Sequence, residues 1–149
     1  MFKRSGPLVI AIVGLAYLLA VTQRSTMGAA SLIATERFHT NAEQLSLLAV
    51  SQLVVYAGMQ IPVGILLDRF GPRILLTLGS ATMSIGQLLV AVSDSLAWAV
   101  AGRILVGFGD AFIFISMIRL INGWYHNKRA SQLQLWMGNL GQLGQIMSA

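Results

Sequence analysis

The sequence contains no cysteine, and only 10% of its residues carry a charge. The absence of cysteine excludes disulfide bonds, thiol chemistry and the thiolate ligands of zinc or iron–sulfur sites. The two histidines, His39 and His126, are too few to build a metal site by themselves, and no cofactor is predicted. The chain also lacks a nucleotide-binding loop and a nucleophile with a neighbouring base, so nothing in it indicates an enzyme.

Apolar residues are what the sequence has in abundance. They account for 56% of the chain, and the mean hydropathy is +0.73. This composition is typical of a protein whose main surroundings are a lipid bilayer. The net charge of +5 does not indicate nucleic-acid binding, because the basic residues lie in short gaps between apolar segments rather than on one patch.

Five apolar segments are recognisable, at about residues 8–34, 45–67, 74–92, 96–118 and 131–149. A membrane-spanning helix needs about 20 residues, so the first four are long enough to cross a bilayer. The fifth has helical character up to the last residue of the sequence. Because the connectors are short, successive helices are expected to be antiparallel and adjacent. The sequence therefore predicts an all-α membrane protein with four complete transmembrane helices and a truncated fifth.

The basic residues predict how these helices are oriented. With a cytoplasmic N-terminus, seven basic residues face the cytoplasm: Lys3, Arg4, Arg69, Arg73, Arg119, Lys128 and Arg129. Only Arg37 then faces the outside, in agreement with the positive-inside rule. We therefore expect a multi-pass protein of the inner (cytoplasmic) membrane with a cytoplasmic N-terminus.

The most informative local pattern is the polar turn at residues 64–73. Gly64 lets another helix approach one turn before Asp68, which places a carboxylate at the membrane edge. Gly71 and Pro72 mark the turn, and Pro72 suits the first position of a helix because its missing N–H would be unpaired there. By itself, this segment could be an ordinary short loop flanked by positive-inside arginines.

The pattern G-x-L-x-D-R-x-G-P-R in this turn resembles the loop signature of the major facilitator superfamily, between its second and third transmembrane helices. The resemblance implies a secondary transporter with two six-helix halves, of which this chain would supply about helices 1 to 5 of 12. Residues 1–149 would then form one incomplete N-terminal domain, a partial helical bundle of that superfamily. It also implies that the missing C-terminal half is a partner, and that the loop contacts that half and gates transport. The implied gating residues are Gly64, Asp68, Arg69, Gly71 and Arg73.

Three charged residues lie inside the predicted membrane segments: Arg24 in the first, and Arg103 and Asp110 in the fourth. Such charges usually face a bundle interior or a watery cavity, because exposure to lipid is costly. Arg103 and Asp110 are seven residues apart, which places them on nearly the same helix face and about 10 Å apart along the axis. Arg24 falls between them in estimated depth. Two interpretations stay open: Arg24 and Asp110 form a structural ion pair, or both arginines bind an anionic solute while Asp110 exchanges a proton.

The fourth segment carries a second resemblance to the same superfamily. Arg103 is followed by a Gly-x-Gly pair, Gly107 and Gly109, similar to the family's fourth-helix pattern, in which the arginine is associated with proton coupling. The resemblance therefore implies a coupling role for Arg103. Asp110, which stands where the family usually has a small residue, is predicted to act with it.

A polar stripe runs along the second segment, where Gln52, Tyr56 and Gln60 are spaced four residues apart. Such a stripe either lines a cavity or hydrogen-bonds a neighbouring helix, and both interpretations stay open. Together with Arg24, these three residues are the candidates for binding a solute.

These patterns predict a fragment of a secondary active transporter. It would move a small solute, which the arginines suggest is an anion. The resemblance implies that transport proceeds by alternating access and is driven by the gradient of a proton or another ion, of which the proton is expected here. The alternative from another class is a small oligomeric membrane protein, or a truncated product that acts as a partner of another membrane protein. An in-frame continuation of the coding sequence after the Ala149 codon would favour the transporter.

Overall fold

A computed structural model of the chain describes residues 6–29, 35, 41–125 and 128–147. The regular structure in these ranges is helical, which confirms the predicted all-α class for this part of the chain. The helices are α1 (Gly6–Ala29), α2 (Ala42–Gly58), α3 (Gln60–Phe70), α4 (Pro72–Val92), α5 (Leu96–Trp124) and α6 (Lys128–Met147). Residues 30–34 and 148–149, which belong to the first and fifth predicted helices, lie outside the described residues.

Within the described residues, three helices are long and apolar enough to cross a membrane. They are α1, in which the apolar stretch is Leu8–Ser25, together with α4 and α5. Helices α2 and α3 make a fourth span if the two are counted as one bent helix. The chain is therefore a multi-pass membrane protein. Helix α6 has 20 residues and is less apolar than the others, and it begins at Lys128, three residues before the predicted start.

The second span is bent, which the sequence analysis did not anticipate. The apolar pattern predicts one helix over residues 45–67, whereas α2 and α3 meet at Met59 with an angle of 49°. Pro62 explains the bend, because it has no N–H to donate to the carbonyl one turn earlier and its ring crowds that turn. The start also differs: Asn41 and Gln44 form a capping box that begins α2 at Ala42.

Helices α4 and α5 pack with their backbones in contact. Each contributes two glycines seven residues apart, Gly79 and Gly86 on α4 and Gly102 and Gly109 on α5. A Cβ atom on Gly86 would lie 2.7 Å from the carbonyl oxygen of Gly102, and one on Gly109 would lie 2.5 Å from that of Gly79. Any larger side chain would therefore separate the two helices, so the glycines fix how α5 sits against α4.

Helix α5 is the centre of the bundle and contacts α1 and α2 as well as α4. Its contact with α2 is also a close one, because a Cβ atom on Gly107 would lie 2.5 Å from the carbonyl oxygen of Gln52. Ala20 of α1 and Val106 and Ile113 of α5 are buried in a shared apolar cluster. The buried side chains of Arg103 and Asp110 on α5 contact α1 and α2 within this bundle.

The polar turn at residues 64–73 has the geometry expected from its sequence. Gly71 has a φ of 80° and a ψ of 161°, a backbone conformation that is nearly restricted to glycine. Its N–H donates to the carbonyl of Leu67 at 2.9 Å and closes α3. Pro72 is the first residue of α4.

Candidate solute-binding site

An ion pair inside the membrane joins α1 to α5. The Nη2 atom of Arg24 lies 2.9 Å from Oδ1 and 2.7 Å from Oδ2 of Asp110. Only 1% of the Asp110 side chain is exposed, compared with 26% of the Arg24 side chain. The contact therefore holds a buried carboxylate against a guanidinium that is open on one side.

Tyr56 brings α2 to this ion pair. The guanidinium carbon of Arg24 lies 4.8 Å from the centre of the Tyr56 ring, within the range of a cation–π interaction. Phe114 lies beside both tyrosines of the bundle interior, with its ring centre 6.1 Å from that of Tyr56 and 6.1 Å from that of Tyr17. The sequence analysis missed Phe114. Its position one helical turn from Asp110 was the signal that could have indicated it.

Arg103 is buried and is held by neutral groups. Its Nη1 atom donates to the side-chain Oε1 of Gln52 at 3.2 Å and to the backbone carbonyl of Gln23 at 3.4 Å. Only 1% of its surface is exposed, and no described carboxylate lies within ion-pair distance of it. Arg103 is thus a cation without a counter-charge in the described part of the bundle.

Three buried N–H donors in this region have no acceptor among the described residues. They are Nε of Arg24, Nε of Arg103 and Nε2 of Gln52. A buried donor without an acceptor costs about 1–3 kcal/mol, so such groups are expected to have a further partner, which can be an ordered water, an ion or a ligand. A ligand with several acceptor oxygens would satisfy them, and a negative charge on it would also compensate Arg103.

The structure brings most of the predicted solute-binding residues together. Arg24, Tyr56 and Gln52 join Arg103 and Asp110 in one cluster, and Arg103 and Asp110 share the α5 face that meets α1. Of the two interpretations of Arg24 and Asp110, the structure contains the ion pair. Arg103 takes no part in that pair, so its guanidinium remains available to bind an anion.

Gln60 lies apart from this cluster. Its side-chain Nε2 donates to the backbone carbonyl of Tyr56 at 3.3 Å rather than to any charged group. With Gly64 and Asp68, Gln60 lines a separate groove of about 430 Å³ between α3 and α5. The polar stripe on the second segment therefore divides where the span bends.

Of the predicted gating residues, Gly64 and Asp68 line that groove, whereas Gly71 and Arg73 line a second cavity beside the polar turn. Nη2 of Arg119, from the end of α5, lies 2.9 Å from Oδ1 of Asp68, and both side chains are largely exposed. The sequence analysis did not foresee this pairing, because 51 residues separate the two and no local pattern connects them. Gly64 was expected to admit a neighbouring helix, but no described atom of another helix lies within 4 Å of its Cβ position.

Arg69 and Arg73 are both exposed beside this turn. The guanidinium carbon of Arg69 lies 5.6 Å from the centre of the Phe70 ring. The described residues contain no group of three or more histidine, aspartate or glutamate side chains that could hold a metal ion.

Comparison with known proteins agrees with this architecture. The family model of the Major Facilitator Superfamily matches residues 13–149, which is most of the chain. The chain therefore belongs to the major facilitator superfamily, as its turn and fourth-helix patterns predicted.

Individual relatives carry different names. A probable L-galactonate transporter of Escherichia coli is 31% identical over 105 residues, which cover 70% of this chain and 23% of that protein. The nitrate/nitrite transporter NrtP of Picosynechococcus is 28% identical over 112 residues, covering 75% of this chain and 21% of the relative. The methyl viologen resistance protein SmvA of Salmonella typhimurium is 40% identical over 60 residues, covering 40% and 12%. The chain thus spans less than a quarter of the length of these relatives.

Proposed function

We propose that this chain is the first part of a secondary active transporter, and that the cluster around Arg103 binds a small anionic solute. The observation that carries the proposal is the combination of a buried arginine without a counter-charge and three buried donors without acceptors. Both features favour a ligand that supplies negative charge and several oxygen acceptors, such as a carboxylate or an oxyanion.

The names of two relatives are consistent with an anion. L-Galactonate, nitrate and nitrite are all small anions with oxygen acceptors. The resistance protein is named for methyl viologen, so membership of the superfamily does not decide the solute. The choice of an anion therefore depends on the charge and hydrogen-bonding groups of the site.

We propose that the contact between Arg24 and Asp110 couples transport to a proton. A proton added to an oxygen of Asp110 removes the negative charge that holds Arg24, so the guanidinium becomes available to the solute. When the solute leaves and Asp110 loses its proton, the ion pair between Asp110 and Arg24 forms again. One proton and one monovalent anion would then cross together with no net movement of charge.

The gating proposal concerns the exposed end of the bundle. With a cytoplasmic N-terminus in the inner membrane, the turn bearing Asp68 faces the cytoplasm. There the loop would contact the second half of the transporter, and Arg119 would share Asp68 with that half. The open surface around Gly64 and the solvent exposure of the Asp68–Arg119 pair support this arrangement.

The test begins with the coding sequence after the Ala149 codon, which should continue in frame through the remaining helices. The protein encoded by the natural gene is then reconstituted in liposomes with an imposed pH gradient. Uptake of labelled galactonate and nitrate is compared with uptake of galactose, which lacks the charge. We expect pH-driven uptake of at least one anion, and loss of that uptake in Arg103→Gln and Asp110→Asn.

Arg129→Gln is the matched control, because it removes an exposed arginine far from the cluster and should leave uptake intact. Equal uptake of galactose and galactonate, or full activity in Arg103→Gln, would overturn the anion site. A stop codon directly after Ala149 together with a stable oligomer would replace the transporter proposal with that of a small oligomeric membrane protein.

A further inference from the structure

Three aromatic side chains lie beside the charged cluster, and binding of a simple anion does not account for them. Tyr17 belongs to α1, Tyr56 to α2 and Phe114 to α5. The ring centre of Phe114 lies 6.1 Å from that of Tyr17, at an interplanar angle of 37°, and 6.1 Å from that of Tyr56, at 62°. The three rings therefore form one aromatic surface that joins three helices.

This aromatic surface lies at a cleft between α1 and α2. Both helices pack against α5, but they make few contacts with each other. Tyr17 thus belongs to one side of the cleft, Tyr56 to the other side, and Phe114 to its floor. None of the three residues is fully buried, so packing among the helices does not use up the surface of their rings.

The rings all lie on one side of the Arg24–Asp110 ion pair. Tyr17 precedes Arg24 by seven residues on α1. Phe114 follows Asp110 by four residues on α5, which runs antiparallel to α1, so the two shifts have the same direction and amount to about 6–10 Å along the axis. Arg103 precedes Asp110 by seven residues and therefore lies on the opposite side. The cleft thus has a charged end and an aromatic end.

Arg24 connects these two ends. Because its guanidinium carbon lies 4.8 Å from the centre of the Tyr56 ring, an anionic group bound by Arg24 lies directly beside the aromatic surface. A carboxylate or sulfonate attached to a flat ring can bond to Arg24 through its oxygens while the ring stacks on Phe114 or Tyr17. An inorganic oxyanion would use the arginines but leave the rings uncovered.

The charges of the cluster argue against an aromatic cation. Arg24, Arg103 and Asp110 together have a net charge of +1, from two arginines and one aspartate. When Asp110 is protonated, as the proposed coupling requires, only the two positive charges remain. Aromatic rings by themselves attract cations, but a cation at this surface would be repelled by the neighbouring guanidinium groups.

We propose that the solute is an aromatic anion, and that Tyr17, Tyr56 and Phe114 select it by stacking against its ring. This inference rests on the anion site proposed above and specifies the class of anion that the site accepts. Phe114 is the central specificity residue, because its ring neighbours both tyrosines and it lies one helical turn from Asp110.

The test compares sulfonates that share one anionic group and differ in the rest of the molecule. Benzenesulfonate carries an aromatic ring, cyclohexanesulfonate carries an apolar ring that is not flat, and methanesulfonate carries a single carbon. Their dissociation constants are measured by isothermal titration calorimetry on the detergent-purified protein that the natural gene encodes. We expect benzenesulfonate to bind about tenfold more tightly than methanesulfonate and about threefold more tightly than cyclohexanesulfonate.

Phe114→Leu keeps a large apolar side chain but removes the central ring. It should weaken the binding of benzenesulfonate about fivefold and change that of methanesulfonate less than about twofold. An unchanged methanesulfonate value also shows that the variant is folded with its anion site intact. Phe114→Tyr retains the ring and should keep the preference for benzenesulfonate.

Phe112→Leu is the matched control. It makes the same substitution two residues earlier on α5, where the side chain packs against an apolar cluster of α3 and α4 rather than beside the tyrosines. The preference for benzenesulfonate should therefore stay unchanged in this variant. An equal loss of preference in Phe112→Leu and Phe114→Leu would overturn the assignment of the aromatic surface.

The possible failures can be told apart. If benzenesulfonate binds no better than either of the other sulfonates, or if Phe114→Leu keeps the preference, the aromatic selection is wrong while the anion site stands. If none of the three sulfonates binds, the anion site is wrong and this inference is overturned with it. Tighter binding of phenyltrimethylammonium than of benzenesulfonate would assign the rings to an aromatic cation instead.

Discussion

Replacing one partner of the Arg24–Asp110 ion pair leaves the other without its counter-charge inside the bundle. Removal of one member of a buried pair typically lowers the free energy of unfolding by about 3–5 kcal/mol. For Arg24→Gln we expect about 3 kcal/mol, because Asp110 is 1% exposed and glutamine still offers it a hydrogen bond. For Asp110→Asn we expect about 2 kcal/mol, because Arg24 is 26% exposed and keeps its contact with Tyr56.

The double variant Arg24→Gln/Asp110→Asn removes both charges and leaves two amides that can bond to each other. Its loss should be about 2 kcal/mol, well below the sum of the single losses, which gives a coupling energy of about 3 kcal/mol. The four members of this double-mutant cycle are compared by thermal unfolding of the chain in detergent. For a chain of this size 1 kcal/mol corresponds to about 2–4 °C, so Arg24→Gln should lower the melting temperature by about 6–12 °C.

A matched cycle on Asp68 and Arg119 is the control, because that pair has a similar distance but lies at the surface with both side chains largely exposed. Its coupling energy should stay below about 1 kcal/mol. The reasoning is refuted if the single losses at Arg24 and Asp110 add up in the double variant to within about 0.5 kcal/mol. It is equally refuted if the exposed pair couples as strongly as the buried one.

Three further predictions concern the glycines and the polar turn. Gly86→Ala should lower the free energy of unfolding by about 2 kcal/mol, because its Cβ would meet backbone atoms of α5 at 2.7–2.9 Å. Its control is Gly138→Ala, at an open helical position with no described atom of another helix within 4 Å, which should cause no loss in the same unfolding assay. Gly71→Ala should cost about 1–3 kcal/mol, because alanine is strained at a φ of 80° and a ψ of 161°. Asp68→Asn should change unfolding by less than about 1 kcal/mol, since its pair with Arg119 is exposed, yet abolish uptake in the liposome assay. Uptake at the normal rate in that variant would remove Asp68 from the proposed gate.

The membrane helices could be located from the sequence because a bilayer demands long apolar segments. Each span needs about 20 apolar residues, so it can be recognised from its own sequence without knowledge of its contacts with other helices. The bend at Met59 could also have been predicted from the sequence. Pro62 lies in the middle of the second segment, and an internal proline is the usual cause of such a bend.

The contacts of the charged residues could be predicted only in part from the sequence. The spacing of Arg103 and Asp110 placed both on one face of α5, which the structure agrees with. It could not decide which of them would meet Arg24, because that depends on the height of α1 against α5. The pairing of Asp68 with Arg119 could not be predicted either, because it also depends on the relative height of two helices, namely on how far α5 extends beyond the turn.

The glycines and the charges of α5 form a single seven-residue repeat. Gly102 precedes Arg103, and Gly109 precedes Asp110, so each charge stands about 100° around the helix from a glycine in backbone contact with α4. Because α4 and α5 cannot slide without a clash between backbones, the two charges are held at fixed depths. The groups that can exchange partners are those that meet α5 through side chains alone, and Arg24 on α1 is the clearest of them. If solute and proton compete at this site, the movement that follows should therefore begin between α1 and α5, while the α4–α5 pair moves as one body.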